Sequence, residues 1–150
     1  MAGVLRDQAT AYVEGHNVMT LATHGPEGVW AAAVFYANDG FTLQFLSAPS
    51  SRHSRNIAAS PRVAVTIQED YRDWRAIQGI QLEGTCEKLE GQRKSMAVER
   101  YGAKFPIVGP DAPPEIARAL DKIAWYEVTP ERLFFIDNSV KLGHREEIAI

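Results

Sequence analysis

A mainly β fold, about six antiparallel strands closed into a small barrel with peripheral helices, is what this 150-residue sequence predicts. Three observations carry that expectation. Short β-prone segments recur between turn signals such as "GPEG" and "NDG". A long strand-like segment, "AIQGIQLEGTCEKLEG", holds Gly79 and Gly84 in its interior, where glycine marks a bend or the close approach of another backbone. Helical periodicity is confined to segments that precede or separate the strands, which puts the helices at the edges of the barrel.

Leu5, Ala9, Tyr12 and Val13 recur at helical spacing and Gly15 stands where such a helix stops, so the chain opens with a short helix. "NVMTLATH" is apolar and β-prone, "GPEG" is turn chemistry, and "VWAAAVFYA" is a second strand, the two forming a hairpin. "NDG" at Asn38 to Gly40 turns the chain into "FTLQFLS", a third strand expected beside the second. Ser50 or Ser51 then caps a short helix, "RHSRNIAAS", that Pro61 ends. "RVAVTI" alternates as a fourth strand, and the charged segment "QEDYRDWR" leads into the glycine-bearing fifth. "QRKSMAVERYGAKFP" has the pattern of a helix closed by Gly102 and Pro106, "PIVGPDAPP" is a rigid loop, and "PPEIARALDKI" is a helix opened by proline. "AWYEV" and "RLFFIDN", separated by "TPE", complete the chain as a closing pair of strands. A length of 150 residues with 45% hydrophobic content suits one domain, 1–150, around one core.

Composition excludes several classes of function. A formal charge of -3 gives no global attraction to nucleic acid or anionic lipid, so neither is an expected partner and any anion site must be small and local. Cys86 is the sole cysteine, which rules out an internal disulfide framework and a thiolate zinc cluster. His16, His24, His53 and His144 lack the spacing of paired metal ligands, and no metal is expected. No GxSxG elbow is present to support hydrolase chemistry. The opening residues carry charges throughout, without the apolar core of a signal peptide, and no later run is long enough to span a bilayer, so the expected location is cytoplasmic.

The stretch "SAPSSRHSRNIAASPRV", residues 47–63, poses an electrostatic question. The first turn of a helix exposes free N–H groups at the positive end of its dipole, yet Arg52, His53 and Arg55 cluster there. A phosphate monoester resolves the conflict: arginine holds its oxygens in a fixed fork, while Ser47, Ser51 and His53 supply further donors. The competing reading is a solvated charge run that simply faces water.

The order of helix, apolar hairpin, third strand, "S...SSRHSRNIAASPRV" and glycine-bearing strand is similar to that of the FMN-binding split barrels related to pyridoxamine phosphate oxidase. Ser47, Ser51, Arg52 and "SPRV" match the signature of that family, in which Thr or Ser ends the third strand and Ser-Arg-Lys precedes "nPrV". "WAAAVFY", "SRH", "IQGIQLEGTCEKLEG", "YGAKFP" and "WYEVTPERLFFIDNSVKLG" extend the resemblance, to a bacterial subgroup of these proteins, over most of the chain. It implies a homodimer with FMN at the interface, acting as an oxidoreductase on an unidentified small molecule. Residue by residue, it implies that Ser47, Ser51, Arg52 and His53, with Leu46 beside them, receive the FMN phosphate. Ala31, Ala32, Ala33 and Val34 would run beside the isoalloxazine, and Ile77, Gln78 and Gly79 would reach the flavin from the second subunit. Trp74, Asn138 and Lys141, with Asp137, would lie near the open face of the ring as a substrate face.

Three departures from the family pattern qualify what the resemblance implies. His53 stands where relatives commonly have lysine, which replaces a fixed charge by a titratable donor and implies a phosphate affinity that is weaker or pH-dependent. Tyr36 stands where the oxidase has a cationic phosphate contact. Lys141, His144 and Arg145 do not reproduce the carboxyl-terminal Arg-and-His pattern, so the substrate need not be pyridoxamine phosphate. Related barrels also use a deazaflavin or haem; the alternative is a non-catalytic flavin carrier, or a haem-binding protein with His24, His53 or His144 as axial ligand. Packing alone offers other roles: Ala31 to Ala33 as a tightly packed strand, Gln78 and Gln81 as outward polar residues, and Trp30, Trp74 and Trp125 as core or interface anchors. Cys86 is read as structural.

Overall fold

Eight strand segments share one curled antiparallel sheet in the computed structural model, which describes residues 2–150. The strands are β1 (Val18–Gly25), β2 (Gly28–Phe35), β3 (Ala37–Asp39), β4 (Thr42–Ser47), β5 (Arg62–Gln68), β6 (Gln78–Lys88), β7 (Ala124–Asp137) and β8 (Arg145–Ile148). Their order across the sheet is β2-β1-β5-β6-β7-β4-β3, with β8 paired to β7. Alternation sets the inner face: Met19, Leu21 and Thr23 of β1 are buried, whereas Val18 and Ala22 are exposed. Phe45, Val65, Ile67, Ile80, Leu82, Leu133 and Phe135 join them from neighbouring strands in the main core.

Among the described residues four α-helices decorate the sheet: α1 (Ala2–Glu14), α2 (Arg52–Ala59), α3 (Gly91–Lys104) and α4 (Pro114–Leu120). The opening helix is as expected, with Ala9, Tyr12 and Val13 buried. A smaller core of Ala37, Leu89, Ala97, Tyr101 and Trp125 lies beneath α3.

The mainly β, split-barrel class holds, but the six-strand count and three details do not. The predicted second strand breaks at Tyr36, whose side chain is fully buried and whose hydroxyl donates to Val13 O at 2.6 Å. Only β3, beyond this break, forms a hairpin with β4; β2 pairs with β1 alone, and β4 turns its other edge to β7. Among the described residues no ladder joins β2 to β4, so the barrel is split there. The expected closing pair is one continuous strand, because "TPE" forms a bulge rather than a turn. Gly84 makes room for it: a Cβ there would lie 2.1 Å from Thr129 O. Finally, Gly102 is buried within α3, not at its end, and β8 is a strand that sequence reasoning missed.

Candidate functional site

The first turn of α2 bridges the split. Arg52 reaches β2, where its Cζ lies 4.3 Å from the Trp30 ring centroid, while His53 reaches β4 through a 2.6 Å hydrogen bond between Nε2 and Ser47 Oγ. The absence of a Cβ at Gly25 lets α2 lie close against β1, with Asn56 Oδ1 2.5 Å from where that carbon would stand. Asn56 Nδ2 then donates to Thr23 Oγ1 at 3.1 Å, and Ile57 enters the core. The N-cap is Ser51, whose Oγ accepts from Ser54 N at 3.3 Å.

A directional hydroxyl chain lines this turn. Ser51 Oγ donates to Ser54 Oγ at 2.8 Å, which spends its single hydrogen. Ser47 Oγ, 3.1 Å away, must therefore donate to Ser51, and Nε2 of His53 must carry the proton given to Ser47. Burial pushes the His53 imidazole below its ordinary range, so the neutral Nε2–H tautomer is the resting form.

The three cations differ in their partners. Arg55 is answered by the Glu27 carboxylate at 2.9 Å and by Ser50 O. Arg52 pairs with no carboxylate among the described residues; one terminal nitrogen donates to Glu27 O at 2.9 Å, and its buried Nε has no acceptor. An unpaired buried donor on Arg52, the uncapped first-turn amides of Arg52 and His53, and the serines around that turn are chemistry suited to a phosphate group, so the residues fit the phosphate end of FMN.

The predicted ring-side residues lie on the free edge of the sheet. Ala31 and Ala33 are exposed, Ala32 and Val34 half-buried, and the backbone groups of β2 that face away from β1 have no strand partner among the described residues. Exposed Val29 (81%), Trp30 (44%) and Phe35 (56%) make this edge unusually apolar. Beside it, Ala22, Ala31 and Ala64 stand in register as the floor of an open groove of ≈ 770 Å³, with His24 and Arg62 at its rim. Leu46 is half-buried next to Ser47. Tyr36 is a core residue, with the Lys104 ammonium 4.2 Å from its ring.

Ile77, Gln78 and Gly79 gather with Trp74, Asn138 and Lys141 elsewhere. Gln78 stands opposite Asp137 at the far end of β7, whereas Ser47 stands opposite Ala124 at its start. Those positions are the two ends of the 14-residue β7, roughly 40 Å of extended strand. The structure therefore places the Ser47 cradle and the Gln78 group at opposite ends of β7, with Ala31 to Val34 on the sheet edge, separated from β6 by β1 and β5. At the second end, Ile77 and Gln78 border a groove of ≈ 210 Å³ with Thr66, Gln68 and Gln81. Trp74 is 46% exposed on a single 3-10 turn, Asn138 is buried beneath it, and Lys141 is exposed on the following loop.

Sequence reasoning missed Ser54 and the pairing of Arg52 with Trp30. Ser54 carries a readable signal, a serine three residues beyond the N-cap. The Arg52–Trp30 stack has none, because it depends on where the β1–β2 turn folds over α2.

Known proteins agree with this architecture. A UPF0306 protein of Enterobacter sp. (strain 638) is 29% identical over 131 residues, covering 86% of this chain and 85% of that protein. Among solved structures, a heme binding protein from Mycobacterium smegmatis superposes with a TM-score of 0.72 at 23% identity, covering 95% of this chain; this chain spans 56% of that one. HutZ, the heme storage protein from Vibrio cholerae, superposes with a TM-score of 0.71 at 15% identity, covering 85% of this chain and 91% of that one. At these identities the structural likeness shows the fold. The pyridoxamine 5'-phosphate oxidase family profile matches residues 5–137, and the chain belongs to that family.

Proposed function

We propose that this protein is a cytoplasmic FMN-binding homodimer and an FMN-dependent oxidoreductase acting on a small molecule. The observation that carries the reading is the first turn of α2, where Arg52, turned toward β2, keeps a buried Nε–H without an acceptor among the described residues, and His53, turned toward β4, lies with Ser47 and Ser51. Arg52 and the first-turn amides would hold the phosphate, and the hydroxyl chain would reorient toward it. Bound FMN supplies reversible hydride or electron transfer, a chemistry that no side chain provides.

The chain's own residues supply binding, orientation and water exclusion. The free edge of β2 offers backbone donors and acceptors to a flat heterocycle, and Ala31 to Ala33 let it approach closely. Gln78, with Ile77 and Gly79, meets the same ring from a second copy, since its own cradle lies at the opposite end of β7. That second copy would also cover the apolar edge made by Val29, Trp30 and Phe35. Trp74 and Lys141 would flank the substrate, and His53, tied to Ser47, is a phosphate-side group rather than an acid or base for the substrate.

A second reading has one specific observation in its favour. His24 is exposed and borders the ≈ 770 Å³ groove, whose alanines and Trp30 would accept a flat macrocycle such as haem, with His24 as the residue that would hold its iron. The visible spectrum of the purified protein separates the two. FMN released from a yellow dimer supports the first reading; a haem Soret band that His24→Ala abolishes supports the second. A colourless protein that takes up neither cofactor contradicts both.

A further inference from the structure

The segment from Glu69 to Gln78, which joins β5 to β6 and carries Trp74, is exposed along much of its length yet pinned from two sides. From α1, the Tyr12 hydroxyl donates to Gln78 O at 3.0 Å. Its hydrogen being used there, Tyr71 must donate to Tyr12 across their 3.0 Å contact. His16, stacked on Tyr12 with centroids 4.0 Å apart, meets the Glu69 carboxylate at 2.8 Å. From beyond β7, buried Asn138 uses both ends of its amide: Nδ2 donates to Trp74 O at 3.0 Å, and Oδ1 accepts from Gly143 N at 3.0 Å. Its backbone N–H takes Ile77 O at 2.9 Å. The carbonyls of Trp74, Ile77 and Gln78 are thus all captured from outside their own segment. The side-chain amide of Gln78 has no hydrogen-bond partner among the described residues and stays available.

From this clasp we infer that Tyr12 and Asn138 are positioning residues for the ring end of the flavin site, holding the Trp74–Gln78 segment in the form that meets the flavin of the partner copy. The inference rests on the FMN reading above. Loosening the segment adds an ordering cost to flavin binding, and that cost falls on the ring, not on the phosphate. It is therefore felt equally by FMN and riboflavin.

Tyr12→Phe removes only the hydroxyl and leaves the ring packed against Phe135; Asn138→Asp removes the Nδ2 donor and keeps Oδ1. Titration of the apoprotein dimer with FMN and with riboflavin, well below the melting temperature, reads the effect. Each variant is expected to bind both ligands about fivefold more weakly, with the FMN-to-riboflavin ratio unchanged. Variants that melt earlier but bind both flavins as tightly as the wild type would reduce Tyr12 and Asn138 to structural residues and overturn the inference, leaving the FMN reading intact. A wild-type protein that binds no flavin, or binds FMN no more tightly than riboflavin, brings down the FMN reading and this inference with it.

Discussion

His53 decides how the cradle responds to acid. Its imidazole is held below the ordinary histidine range by burial, so the folded chain favours the neutral form and the unfolded chain binds a proton more readily. The stability that this preference contributes is present above the unfolded value near 6.5 and is lost as pH falls through the lower folded value. Thermal melts of the cofactor-free protein at about pH 7.5 and about pH 5.5 should show a smaller difference for His53→Gln than for the wild type. An equal difference in both would mean that other groups dominate acid sensitivity. Ser51 and Arg52 were legible in the sequence because capping and first-turn charge are local properties of a few neighbouring residues. The unpaired Nε of Arg52 was not, since it is created by Trp30 and the Glu27 carbonyl, which fold over from another element.

At the scale of elements, the seam between β6 and β7 is where sequence and structure part most clearly. "TPE" has turn chemistry, and Pro130 cannot donate to a ladder, so a reading from local propensity ends the strand there. The chain instead runs through, because opposite Pro130 stands Gly84, where the register shifts and no side chain obstructs Thr129 O. Whether a proline ends a strand or sits in a bulge is thus set by a residue more than forty positions away. Gly84→Ala should cost more than about 2 kcal/mol of stability by urea denaturation, from the forced backbone clash; a variant as stable as the wild type would show that the bulge relaxes freely. The break at Tyr36 follows the same logic: "VWAAAVFYA" reads as one nearly continuous apolar run, and the chain passes from one edge to the other at Tyr36, which is buried against Val13 O.

For the whole molecule, the separation of the two residue groups is the decisive feature. The sequence brought them together only through family resemblance; it could not show that Ser47 and Gln78 sit at opposite ends of β7, because pairing partners of a long strand are non-local. If both groups serve one cofactor, two chains are required, and the apolar β2 edge is the surface that needs cover. Val29, 81% exposed on that edge, tests this: Val29→Glu should convert a dimer to a monomer by light scattering and lose flavin binding with it. A variant that stays dimeric with full cofactor would locate the contact elsewhere.

The claim on which the rest depends is that α2 opens onto a phosphate group held by Arg52. Calorimetric titration of wild type and Arg52→Ala with FMN and with riboflavin measures it directly. Loss of a charge-assisted contact should weaken FMN binding by at least about tenfold, with riboflavin binding changed little, so that the preference for the phosphorylated ligand collapses. Equal loss for both ligands, or none for either, would contradict the account and return Arg52 to a surface cation stacked on Trp30.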